Sequence, residues 1–246
     1  MSRKVIISIV SHGHQSLIRE TGLLAGIRDF HIVLRENLPG AKQLICNAEV
    51  ATFVQNLRVA GFGANHNRNF ELAAPGDDDW FVICNPDISA DGSLIERLLD
   101  LAEKDRASIA APKLWNNTTN SFDDNVRPFP TFVSLMLSFA GVAGPSRYSE
   151  DTLDDLVHPD WASGAFVAFK AAMFRQLQGF DERYFMYMED VDICKRARDL
   201  VHMVRFYPGI KLIHNAARQN RSISSRNFRY HVISAIKYFL WKDWCR

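Results

Sequence analysis

This sequence has few cysteines, little net charge and no long apolar run. Its 246 residues include four cysteines, Cys46, Cys84, Cys194 and Cys245, which lie far apart and form no CxxC pair. This usage argues against a zinc site and a disulfide framework, and it predicts reduced thiols in the cytoplasm. No apolar run reaches the roughly 20 residues of a membrane-spanning helix. The patterns G-x-G-x-x-G and G-x-x-x-x-G-K-S/T are also missing, which counts against dinucleotide and P-loop chemistry.

Hydrophobic residues, by contrast, are plentiful, and the charged residues are unevenly distributed along the chain. Hydrophobic residues make up 47% and charged residues 23% of the sequence, enough for one large core. The net charge is +1, yet residues 193–246 hold twelve Lys or Arg against two Asp, a local charge of +10 that leaves −9 for the remainder. Such a basic end is typical of a phosphate-rich partner, such as a nucleotide, an anionic membrane or a nucleic acid, and equally of a solvated helix surface.

Short β-branched runs alternate with helical patterns through the first half of the chain. Residues 5–10 predict a doubly buried first strand and not a signal peptide, because His12 and His14 end the apolar run. Further strands are predicted at 31–34, 52–55 and 80–84, and helices at 16–27, 42–50, 65–74 and 92–102. Asp91 is the expected N-cap of the last helix. The alternation predicts a mostly parallel sheet covered on both faces.

The regular alternation of strands and helices breaks down beyond Pro112. A polar stretch at 116–124 is followed by a helical segment at 132–140, an irregular region at 141–160 and a strand at 165–169. Helices are predicted at 189–200 and 228–244, the first with an inner stripe of Val191, Cys194, Ala197 and Val201. Since the chain has no repeat, low-complexity tract or linker, we predict one compound domain.

Acidic residues flank the strand predicted at 80–84 on both sides. Ligands of an open parallel sheet bind at the carboxyl ends of its strands. Residues 77–79, three aspartates, precede the strand and belong at the wrong edge, whereas Asp87 in Asn85-Pro86-Asp87 leaves it at the correct edge. The Asp87 carboxylate is a hard oxygen ligand of the kind that suits Mg²⁺ or Mn²⁺. Asx-Pro-Asp is also ordinary turn chemistry, so both interpretations stay open.

Glu189 and Asp190 follow an aromatic run at the start of a predicted helix. The helix dipole favours acidic residues there, which is a structural explanation. The functional explanation is a general base, since an apolar surround raises the pKa of a carboxyl towards that task. His214, at the end of a β-like run, fits either a metal ligand or a hydrogen-bonded strand-end histidine. Residues 61–67 lead into a helix, so their amides and Asn side chains suit a polar ligand.

Six segments stand in an order that points to one enzyme family. They are residues 10–14, 61–67, 85–88, 126–130, 160–164 and 179–192. The last, G-F-D-E-R-Y-F-M-Y-M-E-D-V-D, is the most specific. Together they resemble the bacterial family 2 glycosyltransferases of the GT-A fold, most closely the rhamnosyltransferases of O-antigen and cell-wall assembly. The resemblance covers nearly the whole chain and implies an α/β fold with a Rossmann-like, mostly parallel sheet flanked by helices.

The resemblance implies a nucleotide-sugar pocket in the first half of the chain, residues 1–112. Its implied residues are Ser11, His12, Gly13, Glu36, Asn65, Asn67 and Asn85. Glu36 would lie near the base, where the family commonly has an Asp-Asn pair. Asn85 stands where many relatives have a second acid, which implies either a modest metal affinity or a contact between Asn85 and the ribose instead.

The chemistry is implied to fall mainly in the second half, residues 113–226. Asp190 would be the general base, and Glu189 would help to hold the acceptor or the donor. Asp87 takes the place of the metal-binding acid, with His214 as a further ligand of Mg²⁺ or Mn²⁺. The implied acceptor-side residues are Trp161 and Gly164.

Such enzymes invert the anomeric centre in one displacement, so a single base suffices. The resemblance implies transfer of L-rhamnose from dTDP-L-rhamnose to a lipid-linked saccharide, such as N-acetylglucosamine on polyprenyl diphosphate, in surface polysaccharide synthesis. One alternative is a UDP-hexose or UDP-N-acetylhexosamine transferase of the same fold. Another is a non-catalytic scaffold that binds nucleotide sugars, although the joint presence of Asp87, Glu189, Asp190 and His214 argues against it.

Residues 227–246 are predicted to form a basic amphipathic C-terminal helix. Its apolar positions are flanked by Arg226, Arg229, Lys237, Lys242 and Arg246. A lipid-linked acceptor implies peripheral contact with the cytoplasmic face of the membrane, where each basic residue contributes about 1 kcal/mol near anionic lipid. The alternative is a stripe that packs on the catalytic domain. Nucleic acid is not an expected partner, because apolar residues at helical spacing do not make an RNA-binding platform.

Overall fold

Eleven strands and eight helices form the part of the chain that the computed structural model describes, residues 3–45, 50–139, 147–149, 152–156, 158–215 and 226–240. The strands are β1 (Val5–Ser11), β2 (His31–Glu36), β3 (Thr52–Gln55), β4 (Trp80–Cys84), β5 (Ile88–Ser89), β6 (Ile109–Asn116), β7 (Ser121–Phe122), β8 (Val126–Arg127), β9 (Trp161–Ala162), β10 (Phe166–Lys170) and β11 (Val204–His214). The helices are α1 (Gln15–Glu20), α2 (Leu23–Gly26), α3 (Phe62–Ala73), α4 (Gly92–Lys104), α5 (Phe132–Phe139), α6 (Ala171–Gln176), α7 (Glu189–Asp199) and α8 (Arg226–Leu240).

Nine of these strands belong to one sheet. Its order is β3-β2-β1-β4-β10-β6-β11-β5, and β7 pairs with β6. The pairs β1–β2, β1–β4, β2–β3 and β6–β11 are parallel. The strands β8 and β9 form a separate antiparallel pair. The prediction of a mostly parallel sheet flanked by helices is confirmed.

Strand β10 runs against both of its neighbours. Phe166 lies opposite Cys84 of β4, and Ala168 lies opposite Ala110 of β6, both in antiparallel register. Because β10 is buried on both faces, it has the same apolar composition as a parallel strand, and the sequence does not reveal its direction. As a result, β10 begins at the edge of the sheet where β1 and β4 end.

Two hydrophobic layers cover the sheet. One layer packs β1 and β4 against α1, α2 and α4 and includes Ile18 and Leu98. The opposite layer packs against α3, α6 and α7 and includes Phe174 and Ile193. Asp91 caps α4 as predicted, its side chain accepting a hydrogen bond from the Ser93 amide. Cys84 and Cys194 are buried free thiols, and Cys46 and Cys245 lie outside the described residues.

Two predicted helices differ from the structure. The helix predicted at 42–50 is wrong for residues 42–45 and 50, while 46–49 lie outside the described residues. The Gln15 side chain instead accepts hydrogen bonds from the amides of Leu44 and Ile45, which holds this segment as a loop. The helix predicted at 16–27 is interrupted at Gly22, which adopts φ +66° between α1 and α2.

Two further differences concern Val201 and the segment around Pro112. Val201 is not part of an inner stripe, because α7 ends before it and its left-handed φ of 66° turns the side chain outward, where it is 87% exposed. Pro112 does not end the regular alternation of strands and helices but lies within the strand β6. It pairs beside an irregularity of β11 between Tyr207 and Lys211, a position where a missing amide hydrogen is tolerated.

The C-terminal helix α8 packs on the domain through Ser234, Ala235 and Tyr238. Its predicted extension, with Trp241, Lys242, Trp244 and Arg246, lies outside the described residues. In the described ranges, no helix is both long enough and apolar enough to cross a bilayer.

Candidate active site

The strand ends bring the predicted site residues to one edge of the sheet. Ser11 and Glu36 end β1 and β2 side by side. Asp87 follows β4, and His214 ends β11 opposite Ile88. The aspartates at 77–79 lie at the opposite edge as predicted, where Asp79 accepts hydrogen bonds from the amides of Lys4 and Gly76.

The Glu36 carboxylate shapes the loop that follows β1. It accepts hydrogen bonds from Ser11 Oγ (2.6 Å), Gln15 Nε2 (3.0 Å), the Gly13 amide (2.9 Å) and the Leu38 amide (3.0 Å). Burial alone would raise the pKa of Glu36, but these donors outweigh it and hold the pKa below its ordinary value. Glu36 is fully buried, so it organises the loop while the exposed His12 stands at its surface.

A network of buried amides follows along the same edge. Asn65 is fully buried, and it accepts a hydrogen bond from Asn56 and donates to the carbonyls of Ala60 and Gly61. Asn67 bonds both the amide and the carbonyl of Phe180. Both side chains are therefore occupied by the protein itself: Asn65 fixes the loop before α3, and Asn67 ties α3 to the segment that leads to α7.

Asp87, His214 and Asp123 lie in a row, with His214 between the two carboxylates. His214 Nε2 lies 3.2 Å from Asp87 Oδ1, and its Nδ1 contacts the Asp123 carboxylate. Burial opposes the charge on His214, but the two carboxylates outweigh it and raise its pKa to about 9. Asp123 was missed from the sequence, where it is one of several polar residues in the stretch 116–124. Only the β6–β7 hairpin, which pairs Trp115 with Phe122, brings it to the edge.

The donor atoms of this row suit a divalent cation as a two-residue site. Within the described ranges, no group of three or more His, Cys, Asp or Glu side chains is arranged to hold a metal ion. Asp87 offers a hard oxygen and His214 an imidazole nitrogen that point at each other, and Asp123 fixes the opposite ring nitrogen as outer carboxylates do at metal-bound histidines. Asp87 and His214 would therefore supply two ligands to such a cation.

Glu189 and Asp190 begin α7 after a turn of unusual backbone geometry. Tyr187 and Met188, which precede the pair, have φ of 69° and 71° in the left-handed region. Each such residue costs about 1 to 3 kcal/mol, and strain of this kind concentrates at functional sites. The turn leaves Glu189 buried and Asp190 partly exposed at the N-terminus of the helix.

The environments of the two carboxyls differ. Burial, followed by the neighbouring Asp190 charge, raises the pKa of Glu189 to about 8, and Glu189 Oε2 has no hydrogen-bond partner within the described residues. Burial also raises the pKa of Asp190, but the amides of Gly164 (3.2 Å) and Val191 (2.9 Å) and the charge of Arg127 oppose the rise. The pair therefore retains its proton on Glu189 and its charge on Asp190.

Gly164 and Trp161 lie beside this pair. A Cβ on Gly164 would lie 2.9 Å from the Phe62 ring, so only glycine brings its amide to Asp190. Trp161 is partly exposed, and its indole Nε1 donates to the Pro128 carbonyl at 3.0 Å. The Arg127 guanidinium lies 5.9 Å from the Trp161 ring. Sequence reasoning matched Arg127 only as part of the segment 126–130 and gave it no role.

Two solved structures share the fold of this chain. The chain superposes on GalNAc-T7, solved with UDP, GalNAc and Mn²⁺, with a TM-score of 0.67 at 15% identity over 98% of this chain and 48% of that one. It superposes on Staphylococcus aureus TarS, solved with UDP-GlcNAc, with a TM-score of 0.60 at 10% identity over 96% of this chain and 67% of that one. The fold is thus the GT-A glycosyltransferase fold.

Sequence comparison identifies the family. No family model matches the chain. The chain is 31% identical over 245 residues to rhamnosyltransferase WbbL of Escherichia coli K12, covering 95% of this chain and 92% of WbbL. It is 30% identical over 174 residues to the N-acetylglucosaminyl-diphospho-decaprenol L-rhamnosyltransferase of Mycobacterium tuberculosis, covering 64% of this chain and 56% of that protein. The chain belongs to the bacterial family 2 glycosyltransferases, and it is a glycosyltransferase with rhamnosyltransferases among its relatives.

Proposed function

We propose that the chain is an inverting, metal-dependent rhamnosyltransferase. It transfers L-rhamnose from dTDP-L-rhamnose to a lipid-linked saccharide in bacterial surface polysaccharide synthesis. The similarity to WbbL over 95% of the chain supports the choice of sugar. The observation that carries the chemistry is the partly exposed Asp190 carboxylate, held by two backbone amides at the start of α7.

Asp190 acts as the general base. An acceptor hydroxyl oxygen forms a bond to the anomeric carbon of the donor, and its proton passes to the Asp190 carboxylate. The bond between the anomeric carbon and the diphosphate oxygen breaks at the same time, so that the configuration inverts and the nucleoside diphosphate leaves. Glu189, which is protonated near neutral pH, helps to hold the sugars and keeps the second negative charge out of the pair.

Asp87 and His214 are the residues that would hold Mg²⁺ or Mn²⁺. A bound divalent ion would neutralise the charge that develops on the departing diphosphate. Asp123 acts on the protein side by fixing the His214 ring, so that Nε2 stays directed towards Asp87.

The donor pocket is assigned to the first half of the chain, residues 1–112. His12 and Gly13 line it from the loop after β1, with Ser11 and Glu36 beneath them and Asn85 at the end of β4. Because Asn65 and Asn67 are bound to the protein, they contribute by fixing the walls of the pocket.

The acceptor is assigned to the second half, residues 113–226, where Trp161 and Gly164 lie next to Asp190. N-acetylglucosamine on a polyprenyl diphosphate is the proposed acceptor, in line with the name of the Mycobacterium tuberculosis relative. A partly exposed indole suits the apolar face of a sugar ring. An acceptor of this kind brings the protein into peripheral contact with the cytoplasmic face of the membrane, a role proposed for residues 227–246.

The decisive experiment supplies the purified chain with dTDP-L-rhamnose, UDP-glucose or UDP-N-acetylglucosamine. The acceptor is N-acetylglucosamine on a short prenyl diphosphate, and products are identified by mass spectrometry with and without chelator. We expect a rhamnosylated product that requires Mg²⁺ or Mn²⁺. Transfer from a UDP sugar alone would overturn the donor assignment, and full activity in excess chelator would overturn the metal role.

A further inference from the structure

Two helices near the catalytic loop bury small polar side chains and expose apolar ones. In α8, Ser234 is 2% exposed, whereas Ile233 and Ile236 are 50% and 52% exposed. In α5, Ser134 is 4% exposed, whereas Val133 is 65% exposed. Each helix also buries apolar side chains, Leu135 in α5 and Ala235 and Tyr238 in α8, whereas the outer face of a surface helix is normally polar. Both helices therefore carry an apolar face that the described part of the chain leaves uncovered.

The two apolar faces are joined by an aromatic contact. The Phe132 ring of α5 packs edge-to-face on the Phe239 ring of α8, with centroids 5.8 Å apart. Phe132 nevertheless remains mostly exposed, as do Met136 and Leu240. We call these side chains the α5–α8 surface: Phe132, Val133, Met136, Ile233, Ile236 and Leu240. Exposed apolar residues grouped on two contacting helices are typical of an interaction site, unlike apolar residues scattered singly.

Helix α8 is also attached to the loop that delivers the catalytic carboxylates. Ser234 Oγ donates a hydrogen bond to the Met186 carbonyl at 2.8 Å. The Tyr230 ring packs on the Phe185 ring at an interplanar angle of 37°, with centroids 4.6 Å apart. Whatever holds α8 therefore also sets the orientation of the segment immediately before Glu189.

The charge around the surface selects its partner. The exposed face of α8 continues towards its N-terminus with Arg226 and Arg229, both exposed. A second copy of the chain would bring like charge against like charge, whereas an anionic lipid surface offers phosphates to the arginines and an acyl boundary to the apolar side chains.

We propose that the α5–α8 surface docks on an anionic lipid bilayer, with its apolar side chains at the acyl boundary and the arginines of α8 at the phosphates. The purpose of docking rests on the proposed function. Docking presents the loop before Glu189 to an acceptor sugar that is one diphosphate away from the bilayer. Helix α5, which the sequence predicts only as a helix, supplies half of the surface.

Co-sedimentation of the full chain with phosphatidylcholine vesicles, with or without phosphatidylglycerol, tests the proposal. We expect binding to the anionic vesicles that weakens at high salt. The pairs Val133→Gln with Met136→Gln, and Ile233→Gln with Ile236→Gln, should each weaken partitioning by about tenfold or more. The pair Arg226→Gln with Arg229→Gln should weaken it several-fold at low salt only.

The matched control replaces two exposed apolar residues elsewhere, Leu57→Gln with Val201→Gln, which are 94% and 87% exposed. The control should partition like the wild type, and unchanged circular dichroism should show that all variants are folded. Equal partitioning of the α5 pair and the wild type would overturn the proposal. The proposal would also be overturned if the chain binds no vesicles but forms a concentration-dependent dimer that the same pairs of substitutions abolish. Transfer to a soluble acceptor is scored separately, so a failure of the proposed function remains distinguishable.

Discussion

At the scale of single residues, hydrogen bonding separates the roles of two adjacent carboxyls. The Asp190 carboxylate accepts hydrogen bonds from the amides of Gly164 and Val191, while Glu189 Oε2 accepts none from the described residues. Such donors stabilise a carboxylate, whereas burial and the neighbouring Asp190 charge keep the proton on Glu189 by raising its pKa. The residue with the donors is the one that can accept a proton from a substrate.

Replacing Asp190 with Asn is expected to lower kcat by about 10²- to 10⁴-fold, because the amide keeps the shape of the side chain but cannot accept a proton. Donor affinity should stay within a few fold of the wild type. Steady-state transfer and calorimetric donor titration provide the two measurements. Asp199→Asn, at the exposed end of the same helix, is the control and should remain active. Near-normal turnover in folded Asp190→Asn would remove Asp190 as the base.

Asp123→Asn is expected to weaken Mn²⁺ binding in the presence of dTDP by about 10- to 100-fold, since loss of an outer carboxylate frees the His214 ring to rotate. Calorimetric titration of the metal measures the effect. Asp154→Asn, a surface carboxylate paired with Lys113, should bind Mn²⁺ normally, and Asp87→Ala should bind it least. An unchanged affinity in Asp123→Asn would leave Asp123 as a purely structural partner.

At the scale of elements, helix α2 positions the short segment that follows Asp87. Gly26 lies so close to this segment that a Cβ would be 2.0 Å from the Ala90 carbonyl oxygen. The strand β5 within the same segment pairs with the end of β11, opposite His214. The packing of α2 therefore bears on the separation of Asp87 and His214, although none of its own residues lies in the site.

Gly26→Ala is expected to lower the free energy of unfolding by about 1 to 3 kcal/mol, because the added methyl forces the backbone of α2 away from residue 90. Urea denaturation provides the measurement. Gly209→Ala is a matched control within β11, since a Cβ there meets no atom within 4 Å. Equal denaturation midpoints for Gly26→Ala and the control would show that α2 does not fix this segment.

At the scale of the whole molecule, burial of Glu189 makes folding stability depend on pH. Its pKa of about 8 in the folded state lies above the ordinary value of 4.5. The folded chain therefore holds a proton that the unfolded chain has released, and this contribution is complete below pH 4.5 and lost as pH rises through about 8. The raised pKa of His214, about 9, acts in the same direction.

The free energy of unfolding is accordingly expected to fall from about pH 5 to about pH 9, and Glu189→Gln should flatten this fall by an amount on the order of 1 to 3 kcal/mol. Glutamine resembles the protonated acid and does not titrate. Urea denaturation in chelator across this range gives the comparison, with Glu182→Gln, on the exposed loop, as the control. Parallel pH profiles for the wild type and Glu189→Gln would show that Glu189 is ionised in the folded state.

Local sequence was sufficient for much of the architecture and for the edge at which the site lies. The apolar runs of β1 and β4, the Asp91 cap and the position of Asp87 after β4 depend on neighbours within a few residues. The segment 179–192 identified the family for the same reason, because its residues are contiguous in the chain.

Contacts between distant segments decided the rest. The antiparallel direction of β10, which delivers the Gly164 amide to Asp190, depends on pairing with β4 and β6 and leaves no mark on its apolar composition. Asp123 meets His214 across 91 positions of sequence, and the exposed apolar faces of α5 and α8 are apparent only once the helices are packed. Hydrophobic periodicity reports whether a residue is buried locally, while strand direction and the identity of a distant partner are set by how the whole chain closes on itself.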